Sequence, residues 1–171
     1  MDNQQDLIIQ LKQAVPQAVL KVQPFGHSEM TSVWIEGHSL LSVATFLKNT
    51  ALFKLDWLEN LCVVEFEKVF VMTYFIRSTA THYHLVLRIS VPTVELDRTI
   101  EFPSIRTIWP MGVMIENEIS ELFGILFQEP LHQSAQNEKN LAHLLLPKLG
   151  MKSWEGFPLR KQYGIHVTHQ T

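Results

Sequence analysis

Apolar positions recur along the chain at two spacings, and the change between them divides it. Over residues 6–15, Leu7, Ile8, Leu11 and Val15 fall on one side at the 3.6-residue period of a helix. Pro16, which lacks an amide hydrogen and clashes with the turn before it, predicts the end of that helix. Residues 17–24 and 31–36 read as strands joined by a turn around Gly26. Ser39 stands where a hydroxyl can cap a helix, with Leu40, Val43, Ala44 and Leu47 facing inward and Asn49 and Thr50 ending it. The period then drops to two. Residues 60–67, 69–77 and 83–91 are rich in Val, Ile, Phe and Tyr, and residues 78–82 predict a hairpin loop, so this stretch reads as an antiparallel meander. Helical spacing returns over residues 108–123, where Ile108, Gly112, Ile115, Ile119, Leu122 and Phe123 share one stripe. Pro110 suits a first helical turn, and Gly124 stands where a helix end often needs positive φ.

Two N-terminal helices, a run of strands and one later helix predict an α+β fold with an antiparallel or mixed sheet. From about residue 128 the pattern dissolves. Residues 128–140 are polar, Leu141 to Leu146 form a short apolar run ended by Pro147, and residues 148–171 keep no steady period. Long aperiodic segments are disordered or docked on something. Trp154, Phe157, Leu159 and Tyr163 favour docking, because disordered tails are poor in aromatic residues. The expected organisation is an α+β core domain over residues 1–127 and a loop with an extended partner-docking arm over residues 128–171.

Composition sharpens this picture. Of 171 residues 46% are hydrophobic, but only 18% are charged, against about 25% in a typical domain. With 17 acidic residues and 14 Lys or Arg the net charge is −3, which is not the electrostatic footprint of a nucleic-acid binder. A chain of this length buries roughly 70% of its unfolded surface and needs no disulfide or metal to hold it. Cys62 is the single cysteine, so neither an internal disulfide nor a cysteine-based zinc site is available. Its setting, Leu61-Cys62-Val63-Val64, predicts a buried strand thiol, compatible with a reducing compartment. The N-terminus is polar and acidic, unlike a signal or transit peptide. No apolar run approaches the roughly 18 residues of a membrane helix, so any membrane attachment is expected through a partner.

Candidate chemistry is sparse. His82 and His84 sit two apart on a strand and face the same way, as metal ligands can, but no third ligand follows at a suggestive spacing, and two surface histidines are the simpler reading. No nucleophile elbow, phosphate loop, dinucleotide fingerprint or zinc-protease helix is present. Glu116, Glu118 and Glu121 lie on the striped helix. Glu116 and Glu118 flank the stripe on opposite sides and Glu121 lies further out, so they do not converge on one bond as a glycosidase pair must. Arg160 stands beside Pro158-Leu159 and near Tyr163, where a bidentate ion pair with a partner carboxylate is physically sensible.

Two blocks carry a family resemblance. The first holds Pro103-Ser104-Ile105, Trp109-Pro110 and Glu116-Asn117-Glu118-Ile119-Ser120-Glu121-Leu122-Phe123-Gly124-Ile125. The second holds Leu144-Leu145-Leu146-Pro147 and Trp154-Glu155-Gly156-Phe157-Pro158-Leu159-Arg160-Lys161-Gln162-Tyr163. In that order they resemble the respiratory-chain NADH dehydrogenase 30 kDa subunit family of complex I, which includes small subunits of membrane-bound NiFe hydrogenases related to that complex. The family's Glu-Arg-Glu helix signature is met by Glu116, Glu118, Glu121, Phe123, Gly124 and Ile125, with Asn117 in place of the central Arg. Its closing signature is met by Trp154, Gly156, Pro158, Leu159, Arg160, Lys161 and Tyr163, with Gln162 in place of Asp. The Gly-His-Pro-Asp-Leu-Arg-Arg stretch usual between them is missing, and with it both arginines.

The resemblance implies a non-catalytic peripheral-arm subunit of a complex I-like, NADH–quinone-type oxidoreductase. It would clamp and position the large subunit that forms the quinone site. Glu116, Glu118, Glu121, Trp154, Gly156, Pro158, Leu159, Arg160, Lys161 and Tyr163 would be the partner-binding residues, with Glu116 and Glu118 partly buried and paired. It implies no cofactor or metal in this chain, iron–sulfur clusters in partner subunits, a hetero-oligomer, and a peripheral place on the cytoplasmic side of a bacterial or archaeal inner membrane. The alternatives are a small subunit of a membrane-bound NiFe hydrogenase or formate hydrogenlyase-type complex, a free-standing interaction module on the same fold, and a metal enzyme using His82 and His84.

Overall fold

The computed structural model describes residues 3–28, 30–81, 83–93, 99–128, 156–161 and 163. Helix α1 (Asn3–Ala14) starts earlier than its apolar spacing suggests and ends ahead of Pro16. Leu7 and Leu11, one turn apart, are fully buried. Strands β1 (Val19–Pro24) and β2 (Thr31–Ile35) pair antiparallel. A 3-10 turn, Gly37–Ser39, then leads into α2 (Leu40–Asn49). Ser39 does not cap this helix. It has near-helical angles (φ −88, ψ −3) and no capping side-chain bond, because the preceding turn already forms the helix entrance. Leu40, Val43, Ala44 and Leu47 are all buried, as their spacing requires.

Strands β3 (Trp57–Phe66), β4 (Val69–Arg77) and β5 (His84–Pro92) form the expected antiparallel meander. Strand β5 also pairs with β2, in parallel, giving a mixed sheet of order β1-β2-β5-β4-β3. Period-two alternation sends Phe70, Met72, Tyr74 and Ile76 of β4 to one face, with Leu85, Leu87 and Ile89 of β5 and Val33 and Ile35 of β2. The apolar sides of α1 and α2 cover that face and share one core with it. Cys62 lies on the other face. It pairs across the strands with Thr73 and is exposed, while its neighbour Leu61 is buried. The expectation of a buried thiol fails because β3 is an edge strand with only one face covered.

A second unit follows. Strand β6 (Ile100–Pro103), helix α3 (Gly112–Phe123) and strand β7 (Ile125–Gln128) form a β-α-β crossover whose two strands pair in parallel. Neither four-residue strand is long enough to show a period, so the sequence did not announce this small sheet. Helix α3 is shorter than the 108–123 pattern because residues 105–111 form turns. The amides of Ile108 and Trp109 both donate to the Ile105 carbonyl. The Trp109 ring is buried in the core and its indole N–H donates to the Leu55 carbonyl at 3.0 Å. The Lys48 ammonium donates to the Ile108 carbonyl, tying the same loop to α2. Phe123 meets Phe70 edge-on at 6.0 Å, which places α3 on the same face of the large sheet as α1 and α2.

Candidate docking site

The carboxylates of α3 occupy three different environments. Glu116 is completely buried. Its Oε2 accepts from the Ser104 hydroxyl at 2.7 Å and from Arg106 Nε at 3.2 Å, and its Oε1 accepts from the Ile105 amide at 2.7 Å. Arg106 Nε also donates to Ser104 Oγ at 2.9 Å. Burial pushes the Glu116 carboxyl above the usual range, opposed by the Ile105 amide, the Ser104 hydroxyl and the Arg106 guanidinium. The group therefore staples the exit of β6 to the middle of α3. Having both oxygens engaged and no water contact, it is unsuited to act as a general base on an outside substrate. Glu118, expected to be partly buried and paired, is exposed, and Glu121 is half-buried.

The C-terminal end of α3 is built around Gly124. Its backbone is left-handed (φ 69, ψ 35) and its amide donates to the Ser120 carbonyl. A Cβ here would lie 2.5 Å from the Phe157 ring, so only glycine permits both the turn and the contact. The last carbonyls of a helix lack internal partners and carry partial negative charge. Residues 156–161 satisfy two of them. The Leu159 amide donates to the Leu122 carbonyl at 3.1 Å, and Arg160 Nε donates to the Phe123 carbonyl at 2.7 Å. The Arg160 guanidinium lies 4.6 Å from the Phe157 ring centre and 5.8 Å from that of Phe70. The Lys161 amide donates to Glu65 Oε2 at 2.6 Å, joining this segment to β3. Arg160, expected to reach a partner carboxylate, is 4% exposed and faces its own domain.

The remaining expected residues are spread over this module. Gly156 (φ 86) is exposed, and a Cβ on it would approach the Tyr163 ring. Pro158 and Tyr163 are half-buried, Lys161 is exposed and Leu159 is 52% exposed. Trp154 lies outside the described residues. Phe157 is among the aromatic residues expected to dock, but sequence patterns did not single out Ser104 as an anchor, although it stands inside the first signature block. Nor did they single out Met111, just ahead of α3, or Val113 and Met114 in its first turn, which leave apolar side chains exposed, Met114 at 71%. Apolar residues off the buried stripe are the signal that would have found them. As for metal ligands, no group of three or more suitable side chains occurs among the described residues. His84 Nδ1 lies 3.7 Å from Glu59, which also accepts from Arg77 Nε at 2.9 Å. His82 lies outside the described residues.

This geometry can be set beside known proteins. The model of the family described as "Respiratory-chain NADH dehydrogenase, 30 Kd subunit" matches residues 33–169. The C-type subunit of NADH-quinone oxidoreductase from Roseiflexus castenholzii is 30% identical over 161 residues, covering 91% of this chain and 80% of the relative. The C/D-type subunit of the same oxidoreductase from Buchnera aphidicola is 30% identical over 150 residues, covering 82% of this chain but 23% of that longer protein. Among solved structures, a chain of the archaeal membrane-bound sulfane sulfur reductase complex superposes with a TM-score of 0.60 over 74% of this chain and 71% of that chain, at 15% identity. A trypsin-resistant fragment of Nqo5 superposes at 0.54, over 75% of this chain and 98% of the fragment, also at 15% identity. These two share the fold. The β6-α3-β7 unit and residues 156–163, where the glutamate staple and the arginine contact are built, fall inside the matched range, and the chain belongs to the respiratory-chain NADH dehydrogenase 30 kDa subunit family.

Proposed function

We propose that this chain is a non-catalytic peripheral-arm subunit of a membrane-bound NADH–quinone-type oxidoreductase, where it clamps and positions the large subunit that forms the quinone site. The observation that carries this reading is the way residues 156–161 are seated on α3. Arg160 fixes the root of the arm on its own domain, while Leu159, Met111, Val113 and Met114 remain exposed. A rigid root that presents apolar side chains lowers the ordering cost of binding a partner. No helix among the described residues is long and apolar enough to cross a membrane, and in this reading the chain meets the membrane, on its cytoplasmic side, through other subunits. Iron–sulfur clusters belong to those partners.

The test is isolation of the tagged full chain from membranes of its own host in mild detergent. A stoichiometric large subunit and iron–sulfur subunits are expected with it. The large subunit should lack the two Cys-x-x-Cys pairs that would mark a nickel–iron site. Recovery of the chain alone, with NADH–quinone activity unchanged after its deletion, would overturn the reading.

A further inference from the structure

A helix lying on a domain normally turns charged and polar side chains outward. The outer face of α3 departs from that rule. Met114, Glu118 and Leu122 follow one another at four-residue spacing, so they form one row along the helix. Met114 and Glu118 are exposed and Leu122 is half-buried. Exposed Met111 and Val113 widen the apolar start of this row. Exposed Leu159, whose amide is bonded to the Leu122 carbonyl, extends its other end. Glu118 is thus one carboxylate between two apolar groups. It makes no hydrogen bond or ion pair among the described residues. The charged residues of α3 are Glu116, Glu118 and Glu121, and the helix holds no Lys or Arg.

We propose that the large subunit sets a Lys or Arg against Glu118, with apolar side chains of its own on Met111, Val113 and Met114 to one side and on Leu159 to the other. The inference rests on the function proposed above. It adds what the apolar contacts lack, a charge that selects the partner and fixes its register. Covering the apolar residues also takes water from Glu118, and a carboxylate that loses water is costly unless a cation replaces it. Charge complementarity therefore decides among occupants. A second copy meeting α3 helix to helix would bring glutamate toward glutamate, because a two-fold contact sets one patch against itself. The anionic surface of a membrane would repel Glu118 in the same way. A foreign protein surface with one cation among apolar side chains meets both demands.

The test is a competition in the native host. Wild-type and variant full chains, carrying different tags, are expressed together and counted in the isolated complex. Glu118→Lys is expected to be under-represented by about tenfold or more, because it sets like charges together at the contact. Glu118→Gln, which only leaves the partner's cation unpaired, should be intermediate. Position 118 is exposed, so both purified variants should keep the wild-type urea midpoint. A second measurement needs no change at Glu118. Benzoylphenylalanine in place of Met114, activated by light in the isolated complex, is expected to join this chain to the large subunit. Equal incorporation of Glu118→Lys would overturn the proposal, as would a loss of stability large enough to account for its exclusion. So would cross-links from position 114 that reach a second copy, lipid or only this chain itself. A chain that enters no complex would instead overturn the function proposed above, and this inference with it.

Discussion

Glu116 is a carboxylate sealed from water with both oxygens accepting hydrogen bonds. Deleting it leaves the buried Ser104 hydroxyl and Ile105 amide without their acceptor and removes one of the partners of the partly exposed Arg106 guanidinium. Glu116→Ala is therefore expected to cost about 3–5 kcal/mol in urea denaturation of the purified chain, the usual penalty for removing one member of a buried pair. Glu116→Gln keeps an acceptor for the Ile105 amide and should cost less, about 1–2 kcal/mol. The two proteins should also differ in their response to pH. Because burial raises the folded-state pKa of Glu116, the folded protein holds this proton more tightly than the unfolded chain does. The stabilising contribution is full below the ordinary glutamate range, and is lost as pH rises through that range to the raised folded value. The Gln variant has no such proton, so its deficit should shrink as pH rises across that window. Asp56 has the opposite sign. The Thr79 amide and hydroxyl hold it below the usual range, so its contribution is present at neutral pH and lost in acid.

At the scale of elements, the α3 terminus is the joint on which the arm depends. Gly124→Ala forces an L-residue into a left-handed backbone, at about 1–2 kcal/mol, and drives its Cβ into Phe157. Pairing it with Phe157→Ala should cost less than the sum of the single changes, because the collision is removed. Denaturation of the four proteins gives that coupling. Helices α1 and α2 were legible because Leu7 and Leu11, and Leu40, Val43, Ala44 and Leu47, bury themselves at helical spacing. The meander was legible from its β-branched and aromatic runs. Strands β6 and β7 were not, since four residues carry no measurable period. Cys62 misled because a β-branched setting reports a strand but not which of its faces is covered. Glu116 and Arg160 stood out by their place in the signature blocks, yet their contacts are long-range. Nothing in local spacing says that Arg160 ends on the Phe123 carbonyl.

For the whole molecule, the low charge fraction of 18% now has a structural counterpart. Helices cover one side of the sheet, while apolar residues remain exposed on β3, on α3 and at Leu159. Exposed apolar surface of this kind marks interaction sites. Arg160 links the inner and outer roles. It is buried, yet it holds the segment that carries Leu159. Arg160→Ala should release the Leu159 amide from the Leu122 carbonyl and speed its hydrogen exchange by at least about tenfold. The amides of β4 should be unaffected, and Arg160→Lys should be intermediate. The same variant should lower the yield of assembled complex even though residue 160 faces inward.

The parallel junction between β2 and β5 also sets the order in which the chain can fold. Thr31 pairs with Leu85 and Val33 with Leu87, so the β1–β2 hairpin and the β3–β4–β5 meander can each form from near neighbours. Joining them requires closing everything between. Loop closure has an entropy cost that must be met before the contacts reward it, and such non-local pairing slows folding. The seam between two separately nucleated halves, with Val33 and Leu87 fully buried at its centre, is thus the expected rate-limiting step. Until it closes, both halves expose strand edges to other chains.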